Sequence, residues 1–161
     1  MSASIVQVNV SRGGVPKLPI AAGDVGPLGI AGDGHNEPPH IHGGPERALC
    51  LFAMERIEAL AAEGHPIFAG AVGENVTTRG LDWDAVVPGS RFRLGDEVTI
   101  EITRYTTPCR TNARWFSGGD FNRMHQNLYP GWSRVYARVL TPGRIRAGDP
   151  IVALAPATVN A

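Results

Sequence analysis

The chain has 161 residues, of which 43% are hydrophobic and 19% are charged, and its formal net charge is zero. This size and composition predict one globular domain, residues 1–161, with a core over about residues 5–154. Zero net charge argues against a general polyanion-binding surface, so nucleic acid is not an expected partner. No stretch approaches the roughly 18 apolar residues of a membrane span, and no cationic leader precedes an apolar segment. We therefore expect a cytoplasmic protein without membrane contact.

Strand patterns dominate the chain. Residues 5–10, 97–103 and 134–140 alternate between apolar and polar side chains, and residues 151–154 complete the set. Alternation predicts strands with one buried face, and 20 glycines and 13 prolines separate them closely. The sequence therefore predicts a mainly β fold of the α+β type. We expect a closed or partly closed antiparallel barrel with a few short peripheral helices.

Residues 54–63 carry the helical pattern. The stripe of apolar side chains consists of Met54, Ile57, Leu60 and Ala61. This spacing predicts an amphipathic helix across the barrel surface, and a glycine and a proline directly after it end the helix. Weaker helical patterns follow at residues 109–116 and 120–126.

A short internal repeat relates residues 91–98 to residues 144–151. In each copy a Gly-Asp pair follows a short alternating run, at Asp96 and at Asp149. A tight turn into the next strand requires such a pair, so we interpret the copies as two equivalent barrel corners. The two aspartates are not predicted to be catalytic.

Residues 23–45 contain many glycines and prolines and are predicted to lack regular structure. Three histidines fall in this segment, namely His35, His40 and His42. With Asp33 or Glu37 they could form a zinc or iron site, and exposed loop histidines are the alternative.

Two polar segments suggest a ligand site. Residues 42–47 place Gly43 and Gly44 ahead of an apolar strand, with Arg47 at its mouth. Such a segment suits an anion, and a glycine bulge with Arg47 paired to a glutamate is the alternative. Residues 70–80 offer Glu74, Asn75 and two threonines, a donor and acceptor set suited to a polar heterocycle or an oxo group.

The two cysteines have contrasting surroundings. Cys109 follows Pro108 and has Arg104, Arg110 and Arg114 within five positions, and nearby cations favour the reactive thiolate. Cys50 lies in an apolar run where burial raises the thiol pKa, and we expect it to serve core packing alone. The contrast does not resemble a disulfide framework and indicates a reducing compartment.

Taken together, these segments resemble the MOSC domain family, named for the C-terminal domain of molybdenum cofactor sulfurases. The resemblance covers nearly the whole chain and looks like the short stand-alone bacterial form. The residues that carry it are 29–33, 42–47, 73–75, 81–83, 88–89, 95–96, 103–109, 131–132 and 142–149.

The resemblance implies a MOSC-type β-barrel that binds a molybdenum-pterin cofactor. Cys109 would ligate the molybdenum, Lys17 would meet the pterin phosphate, and Glu74 or His42 would handle a proton. The pocket would be lined by His42, Gly43, Gly44, Arg47, Glu74, Asn75 and Arg110. Pyridoxal phosphate is not expected, because its Schiff base would depend on Lys17, the chain's single lysine.

Three functions remain open at this point. Related proteins reduce small N-hydroxylated compounds, and the absence of a flavin or iron–sulfur motif would require a separate electron-donor protein. Alternatively, Cys109 carries sulfur as a persulfide, received from a cysteine desulfurase, for a metal-sulfur cluster or cofactor. A third possibility is a non-catalytic module that binds the cofactor or another anion.

Overall fold

The structure, a computed structural model, describes residues 2–34 and 43–156. Within these ranges the chain forms eleven strands and one α-helix, α1 (Met54–Ala62). The strands are β1 (Ala3–Val10), β2 (Leu18–Ile20), β3 (Ala22–Gly26), β4 (Gly29–Ile30), β5 (Leu49–Ala53), β6 (Val76–Arg79), β7 (Arg91–Leu94), β8 (Val98–Tyr105), β9 (Val135–Thr141), β10 (Gly143–Arg146) and β11 (Pro150–Leu154). Short 3-10 helices span Pro45–Arg47, Trp83–Ala85, Arg110–Trp115, Ser117–Gly119 and Phe121–Met124.

Seven strands close into a barrel in the order β1, β11, β7, β8, β9, β5, β6, with β6 pairing back to β1. Strand β2 pairs with the C-terminal part of β1, where the partner β11 has ended. The predicted mainly β barrel is confirmed. One barrel pair, β5 with β6, is parallel, because α1 connects the two strands as a crossover.

The strand patterns position the core as predicted. In β8, Val98, Ile100 and Ile102 are buried while the residues between them are partly exposed. All five residues of β5 are buried, which fits a strand covered by α1 on its outer face. Closure removes the free sheet edges and gives the barrel a continuous apolar interior.

Helix α1 begins at the predicted residue and ends one residue before the predicted end, and Ile57 and Leu60 on the predicted stripe are buried. Ala61, also on the predicted stripe, is exposed. The two weaker helical patterns form 3-10 turns at Arg110–Trp115 and Phe121–Met124. None of the helices in the described ranges is long and apolar enough to cross a bilayer.

The prediction that residues 23–45 lack regular structure is wrong in part. Strands β3 and β4 form a hairpin there, and β10 pairs with β3 to make a separate three-stranded sheet. Gly29 has φ of +118°, and a Cβ on it would collide with the carbonyl oxygen of Ala48. The glycines thus allow a tight hairpin against the barrel. His35, Glu37, His40 and His42 lie outside the described residues, so the metal site there stays a prediction.

The two copies of the internal repeat are not equivalent corners. Strand β7 belongs to the barrel, whereas β10 leaves it to pair with β3. The turn chemistry is nevertheless similar, since Gly95 and Gly148 both have positive φ and Asp149 accepts a hydrogen bond from the backbone of Arg146. The local sequence therefore predicts the turn, but it does not predict which sheet the adjoining strand joins.

A glycine in the segment before β6 tests how tightly this segment packs. Gly70 has φ of +89°, and a Cβ there would collide with the carbonyl oxygen of Lys17. Gly70→Ala should lower the free energy of unfolding by about 2–5 kcal/mol, combining left-handed strain with the steric conflict. Gly64→Ala is the matched control, with φ of +99° and open space around the added carbon. It should cost only about 1–2 kcal/mol. Equal losses in urea unfolding of the two variants would contradict the proposed close packing.

Candidate functional site

One cavity lies where β1 and β8 end and where β5, β6 and β9 begin. Its wall contains the loop between β1 and β2, the residues just before β6, and the 3-10 turn after β8. Loop side chains from five barrel strands therefore meet at one place. Function commonly sits at such a place, on loops held by a rigid scaffold.

The structure brings four of the predicted site residues to this cavity. They are Lys17, Arg47, Asn75 and Cys109. Their roles toward a ligand stay predictions, but their common location is now a structural observation.

The other predicted site residues lie elsewhere. Gly43 and Gly44 precede the turn that carries Arg47 and have positive φ, yet neither lines the cavity. Glu74 is buried behind the wall, and Arg110 is exposed on the surface beside Cys109. His42 lies outside the described residues.

The Asp33 carboxylate ties three parts of the cavity together. Oδ1 accepts hydrogen bonds from Lys17 Nζ at 2.6 Å and from the backbone N–H of Ser11 at 3.0 Å, and Oδ2 accepts from Asn75 Nδ2 at 2.9 Å. The side chains of Lys17 and Asp33 are 8% and 3% exposed, so this ion pair is buried. Breaking a buried pair leaves an uncompensated charge, which makes the pair structurally important.

Asn75 holds the wall through both ends of its amide. Its Oδ1 accepts from the backbone N–H of Cys50 at 3.0 Å, and Nδ2 donates to Asp33 and to the carbonyl oxygen of Asn9. Asn75 therefore connects β1, β5 and the segment before β6. Besides its predicted role in the pocket, Asn75 has a structural role in holding these segments together.

Glu74 is fully buried and has an unusual electrostatic environment. Its Oε2 accepts from the backbone N–H of Gly70 and the hydroxyl of Thr77, both at 3.0 Å. Its Oε1 has no hydrogen-bond partner among the described residues. Burial raises the pKa of Glu74 to about 7, although these hydrogen bonds and the charge of Arg134 act in the opposite direction.

Arg134 lines the cavity and was missed by the sequence analysis. The residue is only 5% exposed, and its Nη1 donates to the carbonyl oxygen of Val72 at 2.7 Å. Nε and Nη2 have no hydrogen-bond partner within residues 2–34 and 43–156. Asn112, also buried in the wall, has an unpartnered Oδ1. A buried guanidinium with two free donors is suited to a planar anion or another acceptor pair.

Arg134 could not have been found from periodicity. It begins an alternating segment on the polar face, where an arginine is normally interpreted as solvated. It is buried because the chain enters β9 beside the end of β8, where Thr106 donates a backbone hydrogen bond to the carbonyl oxygen of Arg134.

Both cysteines line the cavity. Cys109 is half-buried, and its sulfur lies 2.8 Å from the Thr111 hydroxyl, at the start of the 3-10 turn. Cys50 is buried, as expected, and burial raises its thiol pKa. The expectation that Cys50 serves packing alone is incomplete, because its residue also forms part of the cavity wall.

The arginines around Cys109 do not cluster on its sulfur. Arg114 donates to the carbonyl oxygen of Val15, and its guanidinium lies 4.6 Å from the centre of the Trp115 ring. Arg110 faces solvent. Cations from more distant segments, Lys17, Arg47 and Arg134, instead line the same cavity as Cys109.

No group of three or more histidine, cysteine, aspartate or glutamate residues suited to a metal ion occurs in the part of the chain that the structure describes. The cavity thus presents one half-buried thiol, cationic side chains and an amide. It can bind an anionic ligand and offer that ligand one soft sulfur donor.

Comparisons with known proteins agree with this architecture. The family model described as MOSC domain matches residues 38–152. Protein YiiM of Escherichia coli strain K12 is 35% identical over 129 residues, which are 77% of this chain and 55% of YiiM. A protein named Reductase, from Gibberella moniliformis, is 32% identical over 128 residues, which are 76% of this chain and 22% of that protein.

A crystal structure of YiiM from Escherichia coli superimposes with a TM-score of 0.74 at 26% sequence identity. The match covers 99% of this chain and 72% of that structure. This chain therefore spans about half the length of the curated YiiM sequence and a smaller share of the fungal protein. The family model covers well over half of the chain, and the chain belongs to the MOSC domain family.

Proposed function

We propose that this protein binds an anionic molybdenum-pterin cofactor in the cavity and reduces small N-hydroxylated compounds with electrons from a separate donor. The observation that carries the proposal is that Cys109, Lys17, Arg47 and Arg134 line one cavity. MOSC domains are associated with this cofactor, and one relative over three quarters of the chain bears the name Reductase.

The residues present fit such a group. A thiolate is a soft ligand that suits molybdenum, and cations suit the phosphate and the anionic sulfur ligands of the pterin. Two unpartnered nitrogens on Arg134, Nε and Nη2, and one unpartnered acceptor on Asn112 match a ring that offers both acceptors and donors. When bound, the cofactor would supply oxygen-atom transfer, while the protein binds and orients.

Of the cationic side chains, Arg134 is the strongest candidate to anchor the cofactor. Lys17 is already neutralised by Asp33 at 2.6 Å. Arg134 has no carboxylate within ion-pair distance among the described residues, and it is buried, where a charge interacts more strongly than at the surface. We assign to Lys17 the predicted contact with the phosphate and to Arg134 the contact with the ring or another acceptor.

Proton supply is the second requirement of the reaction. Conversion of an N–OH group to N–H consumes two electrons and two protons and releases one water. Glu74 directly precedes the lining residue Asn75, and burial places its pKa near neutrality. We propose that Glu74 exchanges protons with the site from behind the cavity wall. His42 keeps its predicted role as the alternative.

A sulfur-carrier function is the second candidate. Cys109 is half-buried and lines the cavity, and its sulfur has the Thr111 hydroxyl at 2.8 Å, which can bond to a persulfide. Incubation with a cysteine desulfurase and cysteine, followed by mass spectrometry of the intact protein, distinguishes the two functions. Added sulfur on Cys109 without bound molybdenum would favour the carrier.

The metal ligand is tested by a pair of cysteine variants. After expression in cells that make the pterin, Cys109→Ala should contain less molybdenum than the wild type by about 10–100-fold, since one ligand is lost. Cys50→Ala is the matched control, because it removes a thiol from the same cavity whose raised pKa disfavours metal binding. Elemental analysis of the purified proteins measures the result. A wild type with no more molybdenum than Cys109→Ala would rule out the proposed ligand.

The buried cation is tested by Arg134→Met, which keeps side-chain length and removes the charge. We expect at least about tenfold less bound pterin, measured by fluorescence after release, because the unpaired donors are lost. The free energy of unfolding of the cofactor-free variant should not fall, because a buried unpaired charge is itself unfavourable. Arg91→Met, which removes an ion pair with Glu101 at 2.9 Å, should leave pterin content unchanged. Loss of stability without loss of pterin in Arg134→Met would assign this residue a structural role instead.

The environment of Glu74 predicts a pH dependence of stability. Its folded-state pKa of about 7 lies above the ordinary 4.5, so the folded protein binds this proton more tightly than the unfolded chain. The stabilisation is therefore fully present below about pH 4.5 and is lost as pH rises through about 7. Compared with Glu74→Gln, the wild type should lose up to about 1.4 kcal/mol of unfolding free energy per pH unit across this window. If the unfolding free energies of the two proteins, measured in urea, change in parallel with pH, a buried and ionisable Glu74 would be contradicted.

A further inference from the structure

Exposed arginines lie beside residues that line the cavity. Arg12 lies two residues before the lining residue Gly14, and Arg110 lies between the lining residues Cys109 and Thr111. Arg114 donates to the carbonyl oxygen of Val15, which also lines the cavity. Three exposed arginines from two separate segments thus adjoin residues of the cavity wall, two of them in the chain and one through a hydrogen bond.

Exposed apolar side chains lie beside these arginines. The Arg114 guanidinium is 4.6 Å from the centre of the half-buried Trp115 ring. Trp115 in turn meets Phe68 edge to face at a centroid distance of 5.0 Å, and Phe68 is 44% exposed. Leu18, next to Lys17, is 60% exposed. We call the surface formed by Arg12, Leu18, Phe68, Arg110, Arg114 and Trp115 the arginine–aromatic rim.

The rim is cationic although the whole chain has no net charge. The segments that carry the rim, residues 9–20, 66–75 and 104–116, contain five cationic residues and one acidic residue, Glu74, which is buried behind the wall. The Asp33 side chain is 3% exposed and is paired with Lys17, and the exposed Glu46 beside the lining residue Arg47 pairs with Arg138 at 3.3 Å. Among the described residues these segments therefore carry an excess of positive charge, which attracts acidic partners.

We propose that the arginine–aromatic rim is the docking surface for an acidic electron-transfer protein. Arginine and aromatic residues are enriched in protein interfaces, where they carry much of the binding energy. Charge complementarity accelerates association, and redox encounters typically use small interfaces of less than about 1,200 Å². A donor docked on this rim would sit directly over the cavity. The inference rests on the proposed reductase function, because that function needs an external donor of two electrons for each N–OH group reduced.

Single-stranded RNA is the competing occupant, since cations and aromatic rings also suit stacked bases. Zero net charge disfavours a polyanion, as does the confinement of the cations to the rim of one cavity. The binding experiment includes RNA as an outcome.

Binding is measured between the full chain, produced in cells that make the pterin, and two acidic probes, a plant-type [2Fe–2S] ferredoxin and a flavodoxin. The wild type should bind at least one of them, and the affinity should fall between ionic strengths of about 0.01 and 0.15 M. Arg12→Glu should weaken binding about tenfold or more at the lower salt. Phe68→Ser should weaken it about tenfold without changing the salt dependence. Arg93→Glu is the matched control, an exposed arginine on β7, a strand that contributes nothing to the cavity wall, and should bind like the wild type.

Turnover of an N-hydroxylated substrate gives a second readout. Arg12→Glu and Phe68→Ser should reduce it at the wild-type rate with dithionite as reductant and more slowly with the protein donor. Equal losses with both reductants would overturn the docking proposal, as would equal binding of all four proteins. Binding of neither probe, or tighter binding of a single-stranded oligonucleotide than of either probe, would overturn it too. A wild type that binds ferredoxin but never turns over with dithionite would instead reject the reductase function.

Discussion

The Asp33 carboxylate is the interaction on which the cavity depends. It neutralises Lys17, accepts a hydrogen bond from the backbone at the end of β1, and orients the amide of Asn75. Because Asn75 in turn holds the backbone of Cys50, one carboxylate connects the loop after β1 to the starts of β5 and β6. The barrel supplies rigid strand ends, and this polar network converts them into a wall of defined shape.

The network also divides the cations of the site into two kinds. Lys17 is compensated within the protein, so its position is fixed and its charge is largely neutralised. Arg134 is held by one hydrogen bond to Val72, and its Nε and Nη2 nitrogens have no partner among the described residues. A site with one compensated and one uncompensated cation can bind a ligand of limited negative charge without a large change in its own structure. The difference between these two residues is electrostatic and arises from where Asp33 lies.

The sequence predicted the fold well where the residue pattern of a segment is enough to identify it as a strand or a helix. Alternation over residues 97–103 identified β8, and the apolar stripe identified α1 to within one residue. The prediction failed where the formation of a strand depends on segments with which it pairs. The hairpin of β3 and β4 is stabilised by its packing against Ala48 and by β10, residues far away in the chain, and its many glycines conceal it. Likewise the repeat at Gly95 and Gly148 identified turns correctly but could not show that the strands before these turns, β7 and β10, join different sheets.

In the candidate site, too, some residues were predicted from the sequence and others were not. Family resemblance led to Cys109, Asn75, Lys17 and Arg47, which the barrel brings to one cavity. It did not lead to Arg134 or to the buried position of Glu74, because burial of a charged side chain depends on how strand ends meet. The arginines beside Cys109 in sequence illustrate the point, since Arg114 stacks on Trp115 and Arg110 faces solvent. Neighbours in sequence were weaker guides to the electrostatics of the thiol than residues from distant loops.

The unused donors of Arg134 have a consequence for the life of the protein in the cell. Arg134 forms no ion pair among the described residues, and an anionic ligand bound there at 100 times its Kd would add about 2.7 kcal/mol to the stability of the folded state. Since cellular proteases act on the unfolded fraction, chains that have not acquired a ligand will be degraded first. If the cavity binds the proposed cofactor, the abundance of this protein should therefore follow the supply of that cofactor.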